Sequence, residues 1–351
     1  MIFKILYIED ENPGSIVAEL SKEFVVTHYD PKDFEGAISQ IKNTDLLLLD
    51  FRLSGKKAIF DAPTLAQTIR TKSTPYHQNL PIVLISSEEN ISGYYEDYTS
   101  QDLFDFAVSK DVLLHNVEKY SARLKSLINA YSEISTVNND GSLDLQQLLK
   151  CPVKVAEKFS PRIKDLLKSK KYTSNTYMAS GFILNHIVKP SGILIGEDIL
   201  LARLGVSASS KGWAELKIHL QQFEYTGIFS ESYDRWWFSG IEEWWRSISP
   251  EAPSLKRLGA NKRKLILEEK YNITSLDVAQ KSERSKSEYF WTICAKNKTA
   301  LDPVDGFEAN RTIEPWEDKE YFSLIAVSEL KSLEEITSLG RKRYLEMTGS
   351  E

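Results

Sequence analysis

Residues able to carry phosphoryl chemistry stand at the ends of apolar runs in the first third of this 351-residue chain. Glu9 and Asp10 follow ILYI, Asp50 closes LLLLD, Ser86 follows PIVLI, and Lys110 comes two residues after FDFAV. Carboxylates held together raise one another's pKa unless a cation neutralises them, and Mg²⁺, a hard cation that prefers oxygen ligands, suits that role. An aspartate can be a covalent nucleophile for phosphate, while a metal ion and a lysine offset the charge on phosphoryl oxygens. We therefore expect phosphoryl transfer to Asp50, the one lone acid that ends a hydrophobic run.

The stretches around these residues alternate short apolar runs with helical patterns. We expect five strands, at 2–8, 24–29, 45–51, 81–85 and 104–108, and five helices, near 13–22, 32–42, 62–71, 88–100 and 111–131. Strands 1, 3 and 4 are almost uninterrupted apolar runs, which is typical of parallel strands covered on both faces. The alternation predicts a doubly wound α/β sheet. Because ligands bind at the carboxyl ends of such strands, the five residues should converge on one edge.

Four motifs, in this order and spacing, resemble the receiver domains of bacterial two-component response regulators: ILYIEDE, LLLLDFRL, PIVLISS and FAVSKD. The resemblance covers residues 1–130. It implies a five-stranded, parallel, flavodoxin-like sheet with strand order 2-1-3-4-5. It also implies that Asp50 accepts a phosphoryl group from a histidine kinase and that Glu9 and Asp10 form the acidic pair of the metal site.

The same resemblance implies a role for each remaining residue of the site. Asp10 and Asp50 would bind Mg²⁺ together with Glu9, and the backbone carbonyl of Arg52 would complete the protein ligands. Ser86 would hydrogen-bond the phosphoryl group, and Lys110 would pair with it.

The chain departs from the family at three places. Asp111 follows the lysine where the family has proline, so we expect a trans or strained turn there. Ala107 replaces the aromatic residue that normally swings on activation, and Phe106 should face the other side of the sheet by alternation. The stretch 52–60 is also longer than usual. The chemistry of the site is thus complete, whereas the usual hydroxyl–aromatic relay is not.

The composition changes beyond residue 135. Residues 1–135 hold 20 acidic and 13 basic side chains, a net charge of −7, whereas the rest holds 30 and 31, a net charge of +1. All seven tryptophans lie in the second part. Such a break predicts a domain boundary. We therefore expect a receiver domain over 1–130, a linker over 131–142 and a mainly α-helical output or interaction domain over 143–351.

The second part has helical periodicity at 143–150, 153–171, 176–188, 196–204, 211–224 and 319–346. Within 190–240, a helix–Gly205–turn pattern followed by a further helix resembles a winged-helix domain, with a wing at 225–230 and 233–239. DNA binding requires lysines and arginines on one face, and the candidate recognition segment 207–213 carries a single lysine.

Two basic runs, 158–171 and 256–264, are either a phosphate footprint or solvated helix faces. The tryptophans either pack in the core or stack on a ligand. Neither pattern distinguishes a protein partner from a nucleic acid by itself.

Three outputs therefore stay open. We rank first a response regulator that passes the signal on Asp50 through a helical protein-interaction domain to an effector protein. The second is a phosphorylation-controlled, DNA-binding transcriptional regulator, and the third is a phosphate sink or an unphosphorylated pseudo-receiver adaptor. We expect no enzymatic activity, because the chain has neither a glycine-rich phosphate loop nor a GxSxG motif. A homodimer remains open.

The sequence contains no signal for membrane insertion or secretion, and this absence indicates the cellular compartment that we expect. No run approaches the roughly 20 apolar residues of a membrane span, and MIFKILYIEDE is not a signal peptide. The two cysteines, Cys151 and Cys294, make neither a disulfide framework nor a metal quartet, so we expect core thiols. A cytoplasmic protein without membrane association is the expectation.

Overall fold

The computed structural model describes residues 2–53, 60–71, 79–91, 103–137 and 142–349. The chain forms two compact units, which are Met1–Ile183 with Thr226–Ser232, and Leu184–Tyr225 with Tyr233–Glu351. None of the described helices combines the length and the apolar character that a bilayer crossing demands.

The first unit is built on a five-stranded parallel sheet. Its strands are β1 (Lys4–Ile8), β2 (Val25–Tyr29), β3 (Leu46–Asp50), β4 (Ile82–Ser86) and β5 (Phe106–Ser109). Their order is β2-β1-β3-β4-β5, which confirms the predicted flavodoxin-like topology. Every residue of β3 and β4 is buried, which explains why these strands are apolar without interruption.

Helices flank both faces of this sheet. They are α1 (Gly14–Leu20), α2 (Phe34–Gln40), α3 (Ala62–Thr71), α4 (Lys110–His115) and α5 (Val117–Val137). A further helix begins at residue 88, and its predicted continuation from 92 to 100 lies outside the described residues. The helix predicted at 111–131 is two helices, because Asn116 leaves helical geometry with φ −136° and ψ 42°.

The core of the sheet follows from alternation along the strands. One face buries Leu6, Ile8, Leu47, Leu49 and Leu84 against α2 and α3. Each such side chain contributes about 1.5–3 kcal/mol when fully buried. The strands are therefore held rigidly, and their carboxyl ends keep a fixed geometry.

Five short helices continue the first unit. They are α6 (Leu145–Leu149), α7 (Val153–Glu157), α8 (Pro161–Leu167), α9 (Lys170–Thr173) and α10 (Thr176–Ile183). The single helix predicted at 153–171 is broken, because Pro161 starts a new helix and Ser169 is extended. The amide of Asn79 donates to the hydroxyl of Thr176, so residues beyond the predicted linker pack with the sheet. The first segment of this unit thus runs 41 residues beyond the predicted linker's end at 142.

The second unit joins helices to short antiparallel ribbons. Its helices are α11 (Glu197–Leu204), α12 (Trp213–Leu220), α13 (Phe238–Ile248), α14 (Ala260–Tyr271), α15 (Leu324–Ser328) and α16 (Ser338–Thr348), after a π-helical turn at Leu184–Val188. Its strands are β6 (Leu194–Ile195), β7 (Trp236–Trp237), β8 (Thr292–Ile293), β9 (Ala300–Leu301), β10 (Phe307–Glu308) and β11 (Tyr321–Phe322).

The prediction of one long helix at 319–346 is wrong. Ser323 caps α15 by accepting the N–H of Ala326, and Thr337 caps α16 by accepting the N–H of Gly340. Two side-chain caps inside an apparent helical pattern start new helices, because each one satisfies backbone donors that a continuous helix would use itself. The helices α13 and α14 are absent from the sequence prediction.

The segment that resembles a winged helix keeps part of that pattern. Gly205 ends α11 in the left-handed region with φ 75°, α12 follows, and β6 pairs antiparallel with β7. The N–H of Tyr225 donates to the carbonyl of Arg235. The first predicted wing strand is not a strand, since 226–232 form bends and turns that belong to the first unit.

Candidate functional site

The carboxyl ends of four strands position the predicted site. Glu9 and Asp10 directly follow β1, Asp50 is the last residue of β3, Ser86 is the last residue of β4, and Lys110 opens α4 after β5. The register pairs Asp50 with Ile85, and Ser86 with Ser109, so these strand ends lie level. The five predicted residues therefore share one edge of the sheet, hereafter the acidic edge.

Three buried carboxylates and one lysine dominate the acidic edge. One oxygen from each of Glu9, Asp10 and Asp50 lies within 4.8 Å of the others. The Nζ atom of Lys110 lies 2.5 Å from Oε2 of Glu9 and 3.1 Å from Oδ1 of Asp50. Among the described residues, Glu9 and Asp50 share this one lysine, so their two negative charges face a single positive charge in a low-dielectric setting.

Asp50 lies in surroundings that disfavour its ionised form. Its side chain is 7% exposed, and its Oδ2 accepts the N–H of Arg52 at 3.1 Å. Its buried Oδ1 accepts no hydrogen bond from the described residues, because its contact with Lys110 is an ion pair without hydrogen-bond geometry. Burial, and next the charge of Glu9, raise the pKa of Asp50, while Lys110 and Ser86 oppose that rise.

Two neighbours hold Glu9 in place. Its Oε2 accepts the hydroxyl of Tyr7 at 2.8 Å in addition to Lys110. Burial lowers the pKa of Lys110, but its contacts with Glu9 and Asp50 outweigh burial, and the net shift is upward. Burial and the charge of Glu9 raise the pKa of Tyr7 well above its usual range. The lysine therefore stays cationic and the tyrosine stays a donor at neutral pH.

The acidic edge fits a divalent cation. Three carboxylates converge on one point, a buried oxygen of Asp50 has no hydrogen-bond donor within the described part of the chain, and oxygen is the ligand that Mg²⁺ prefers. A cation would offset both the burial and the repulsion from Glu9 that raise the pKa of Asp50. The donor set is therefore that of a hard-metal site.

The turn after β5, predicted to be trans or strained, shows no backbone strain. Ser109 is extended and caps α4 by accepting the N–H of Val112, so Lys110 and Asp111 begin a helix with ordinary dihedral angles. A helix start thus replaces the proline turn of the family. The long stretch predicted after Arg52 includes residues 54–59, which lie outside the described residues.

The side chains of β5 follow the predicted alternation. Ala107 packs with the core against α2 and α3, the face from which the family's aromatic switch is missing. Phe106 contacts α5 instead, where the guanidinium of Arg123 lies 3.7 Å from its ring centre and Tyr120 lies alongside. Phe106 cannot take over the role of a residue on the opposite face.

Sequence reasoning missed three residue groups near this sheet. Tyr7 is hidden inside an apolar run, and Asn90 donates to the hydroxyl of Ser86 at 3.1 Å from the helix that begins at residue 88. The third group lies at the opposite end of β4 and β5, where Arg70 donates to Asp105 at 3.0 Å and Tyr131 donates to it at 2.7 Å. An arginine and an aspartate 35 residues apart give no local signal of such a pair.

Comparison with known proteins gives matches among solved structures. No family model matches the chain, and no curated protein matches it. An adenylate cyclase from Rhodopirellula baltica is 16% identical over 39% of this chain and 94% of its own, with a TM-score of 0.30. The receiver domain of NtrX from Brucella abortus is 23% identical over 33% and 96%, with a TM-score of 0.27.

A CheY-like response regulator receiver domain from Methylobacillus flagellatus is 17% identical over 35% of this chain and 99% of its own, with a TM-score of 0.28. These similarities are too low to carry function. The receiver fold of this sheet is given by its five parallel strands in the order β2-β1-β3-β4-β5 and by its flanking helices.

Proposed function

We propose that this chain is a two-component response regulator that accepts a phosphoryl group on Asp50 from a histidine kinase. One observation carries the proposal: a buried aspartate at a strand end has an oxygen that accepts no hydrogen bond from the described residues, 3.1 Å from a lysine and beside two further acids. Balanced ion pairs need no such excess of negative charge. Perturbed carboxylates of this kind mark functional sites.

In the proposed reaction an oxygen of Asp50 bonds to phosphorus as the phosphorus–nitrogen bond of the donor phosphohistidine breaks. The electron pair of that bond stays on the imidazole nitrogen. The N–H of Arg52 holds one Asp50 oxygen, which orients the carboxylate. Lys110 offsets charge on the phosphoryl oxygens, and the Ser86 hydroxyl donates a hydrogen bond to one of them.

Metal binding belongs to the same proposal. Glu9, Asp10 and Asp50, with the backbone carbonyl of Arg52, would hold Mg²⁺. When bound, the ion supplies positive charge next to the phosphoryl oxygens and so favours attack by an anionic carboxylate.

For the output we propose that the region 143–351 binds a partner protein. We also propose that the protein acts in the cytoplasm. The exposed residues of α12 include Glu215 and Ile218, and its one lysine, Lys217, pairs with Glu197 at 3.2 Å. Such a face lacks the cations that neutralise DNA phosphates. Five of the seven tryptophans are buried, at positions 213, 236, 237, 244 and 245, which favours core packing over base stacking. These features weigh against the winged-helix alternative.

Phosphoryl acceptance is tested with acetyl phosphate and Mg²⁺ on the full chain, followed by intact-mass measurement. We expect wild type to gain one phosphoryl group and Asp50→Ala to gain none. Asp30→Ala is the matched control, because Asp30 is an exposed acid that directly follows β2. Lys110→Met should slow the gain by roughly a hundredfold, the loss typical of one charge-stabilising group. A wild type that gains no mass from acetyl phosphate or a kinase would instead be a pseudo-receiver adaptor.

A further inference from the structure

The helices α6 to α9 carry a concentrated positive charge. Residues 150–171 contain eight basic and two acidic side chains, whereas the whole chain has a net charge of −6. We define the basic surface by its members, Lys150, Lys154, Lys158, Arg162, Lys164, Lys168, Lys170 and Lys171, all of them exposed. Within the part of the chain that the structure describes, Lys164 and Lys168 form no ion pair, so their charge is available to a partner.

An apolar groove of about 330 Å³ opens next to these lysines. Its apolar lining consists of Leu143, Leu145, Val153, Ala156, Phe159 and Leu167, and Lys164 and Lys168 line it as well. Val153 is 59% exposed, so its side chain presents apolar surface at the groove wall. Among the described residues, the groove therefore combines uncovered apolar surface with unpaired positive charge.

We propose that the groove and the basic surface together bind an acidic, amphipathic segment of a partner protein. Apolar side chains at helical spacing would fill the groove, and Asp or Glu side chains beside them would meet Lys164 and Lys168. The inference rests on the proposed protein-binding output and names its site and the chemistry of its partner. It does not depend on phosphorylation of Asp50.

A protein partner fits this surface better than a nucleic acid does. The aromatic residues of this stretch, Phe159 and Tyr172, are buried, so no ring is free to stack on a base. Two carboxylates, Asp144 and Glu157, also line the groove and repel any anion, so the acidic side chains of the partner must lie on the side of Lys164 and Lys168. The apolar lining of the groove would contact the apolar side chains of such a segment, whereas a phosphate backbone offers it no apolar surface.

The test uses the full chain and a defined probe. The probe is a fluorescein-labelled helical peptide of about four turns, with leucines at i, i+3, i+4 and i+7 and glutamates elsewhere. Binding is followed by fluorescence anisotropy at low and at physiological salt. We expect saturable binding that weakens with salt and a loss of at least about tenfold in affinity when the leucines are replaced by serine.

Two kinds of variant test the contribution of the lysine charges and that of the apolar groove separately. The double variant Lys164→Glu/Lys168→Glu and the single variant Val153→Asp should each weaken binding by about tenfold or more. The matched controls are Lys331→Glu/Lys342→Glu, which changes the same charge elsewhere, and Val304→Asp at a valine that is 73% exposed. Both controls should bind the peptide like wild type.

Three results would overturn the inference. The first is no peptide binding at low salt, and the second is an equal loss in the matched controls, which would mean unspecific attraction. The third is binding of double-stranded DNA that the lysine variant abolishes and Val153→Asp leaves unchanged, which would assign the surface to nucleic acid. Mass gain from acetyl phosphate is recorded on the same variants, so a failure at Asp50 is seen separately from a failure at the groove.

Discussion

Both ends of the central strands bury charged side chains, and the two ends balance that charge differently. At the carboxyl ends, the acidic edge sets Glu9 and Asp50 against one lysine, with Asp10 beside them. At the amino ends of β4 and β5, Arg70 faces Asp105 in a buried pair. Both ends therefore bury charged side chains. They differ in whether the negative and positive charges are equal in number.

The amino-end cluster is complete in itself. Arg70 donates to Asp105 and also to the carbonyls of Leu80 and Leu103. Asp105 accepts in turn from the N–H of Ile82 at 2.8 Å and from the hydroxyl of Tyr131 at 2.7 Å. Each charge has an opposite partner and further hydrogen bonds, which is the arrangement that makes a buried pair tolerable.

The acidic edge is incomplete by comparison. Glu9 and Asp50 share one lysine, and Oδ1 of Asp50 lacks a hydrogen-bond donor among the described residues. A structural role would be served better by a balanced pair of the kind found at the other end. The imbalance is what a site needs if a cation and a phosphoryl group are to complete it.

The largest effect on stability is expected at the balanced end. Arg70→Met removes the one cation that contacts Asp105 among the described residues and leaves a buried, uncompensated carboxylate. We expect a loss of about 3–5 kcal/mol in the free energy of unfolding, measured by urea unfolding with far-UV circular dichroism.

The double variant Arg70→Met/Asp105→Asn supplies the control, because it removes both charges. It should recover part of the loss, since a neutral amide costs less to bury than an unpaired carboxylate. If Arg70→Met unfolds at the wild-type urea concentration, this pair is not a structural element and the contrast between the two ends is lost.

At the acidic edge we expect a smaller change in the free energy of unfolding, and this change is a gain in stability. In the presence of a chelator, Asp50→Asn should stabilise the protein by about 1–3 kcal/mol, because it removes a desolvated and repelled charge. Adding Mg²⁺ should raise the melting temperature of wild type and raise that of Asp50→Asn much less. A chelated Asp50→Asn protein less stable than wild type would show that the edge is balanced after all.

The difference in stability between wild type and Asp50→Asn should also depend on pH. The pKa of Asp50 is raised in the folded protein, so the folded state holds the proton more tightly than the unfolded state. The penalty of ionised Asp50 is therefore fully present above the folded pKa and vanishes as the pH falls toward the unfolded value. In chelator, the stability advantage of Asp50→Asn should shrink as the pH is lowered through that range.

The contrast between the two ends also explains what the sequence could reveal. The acidic edge was predictable because each of its residues ends an apolar strand, and parallel strands must bring their carboxyl ends to one edge. Arg70, Asp105 and Tyr131 lie on α3, before β5 and on α5, and their meeting depends on helix packing that no local pattern records. Tyr7 was missed for a related reason, since a tyrosine in an apolar run is indistinguishable from core.

The region beyond the sheet was predictable only in type. Helices with a clear cap or breaker, such as α11 before Gly205, are found close to their predicted bounds. The predicted helix at 319–346 failed because Ser323 and Thr337 act as caps within a helical pattern. Whether a serine caps a helix or lies within it depends on tertiary context, which periodicity does not contain.

The smallest effects come from deleting one hydroxyl at each end. Tyr131→Phe should cost about 1 kcal/mol whether or not Mg²⁺ is present, because Asp105 keeps Arg70 and the N–H of Ile82. Tyr7→Phe should also cost about 1 kcal/mol in chelator, where Glu9 loses one of its two side-chain donors. With Mg²⁺ the cost of Tyr7→Phe should fall, because a cation then offsets the charge of Glu9. Paired urea unfolding curves with and without Mg²⁺ measure the difference, and equal Mg²⁺ responses of the two variants would remove the proposed distinction between the two ends.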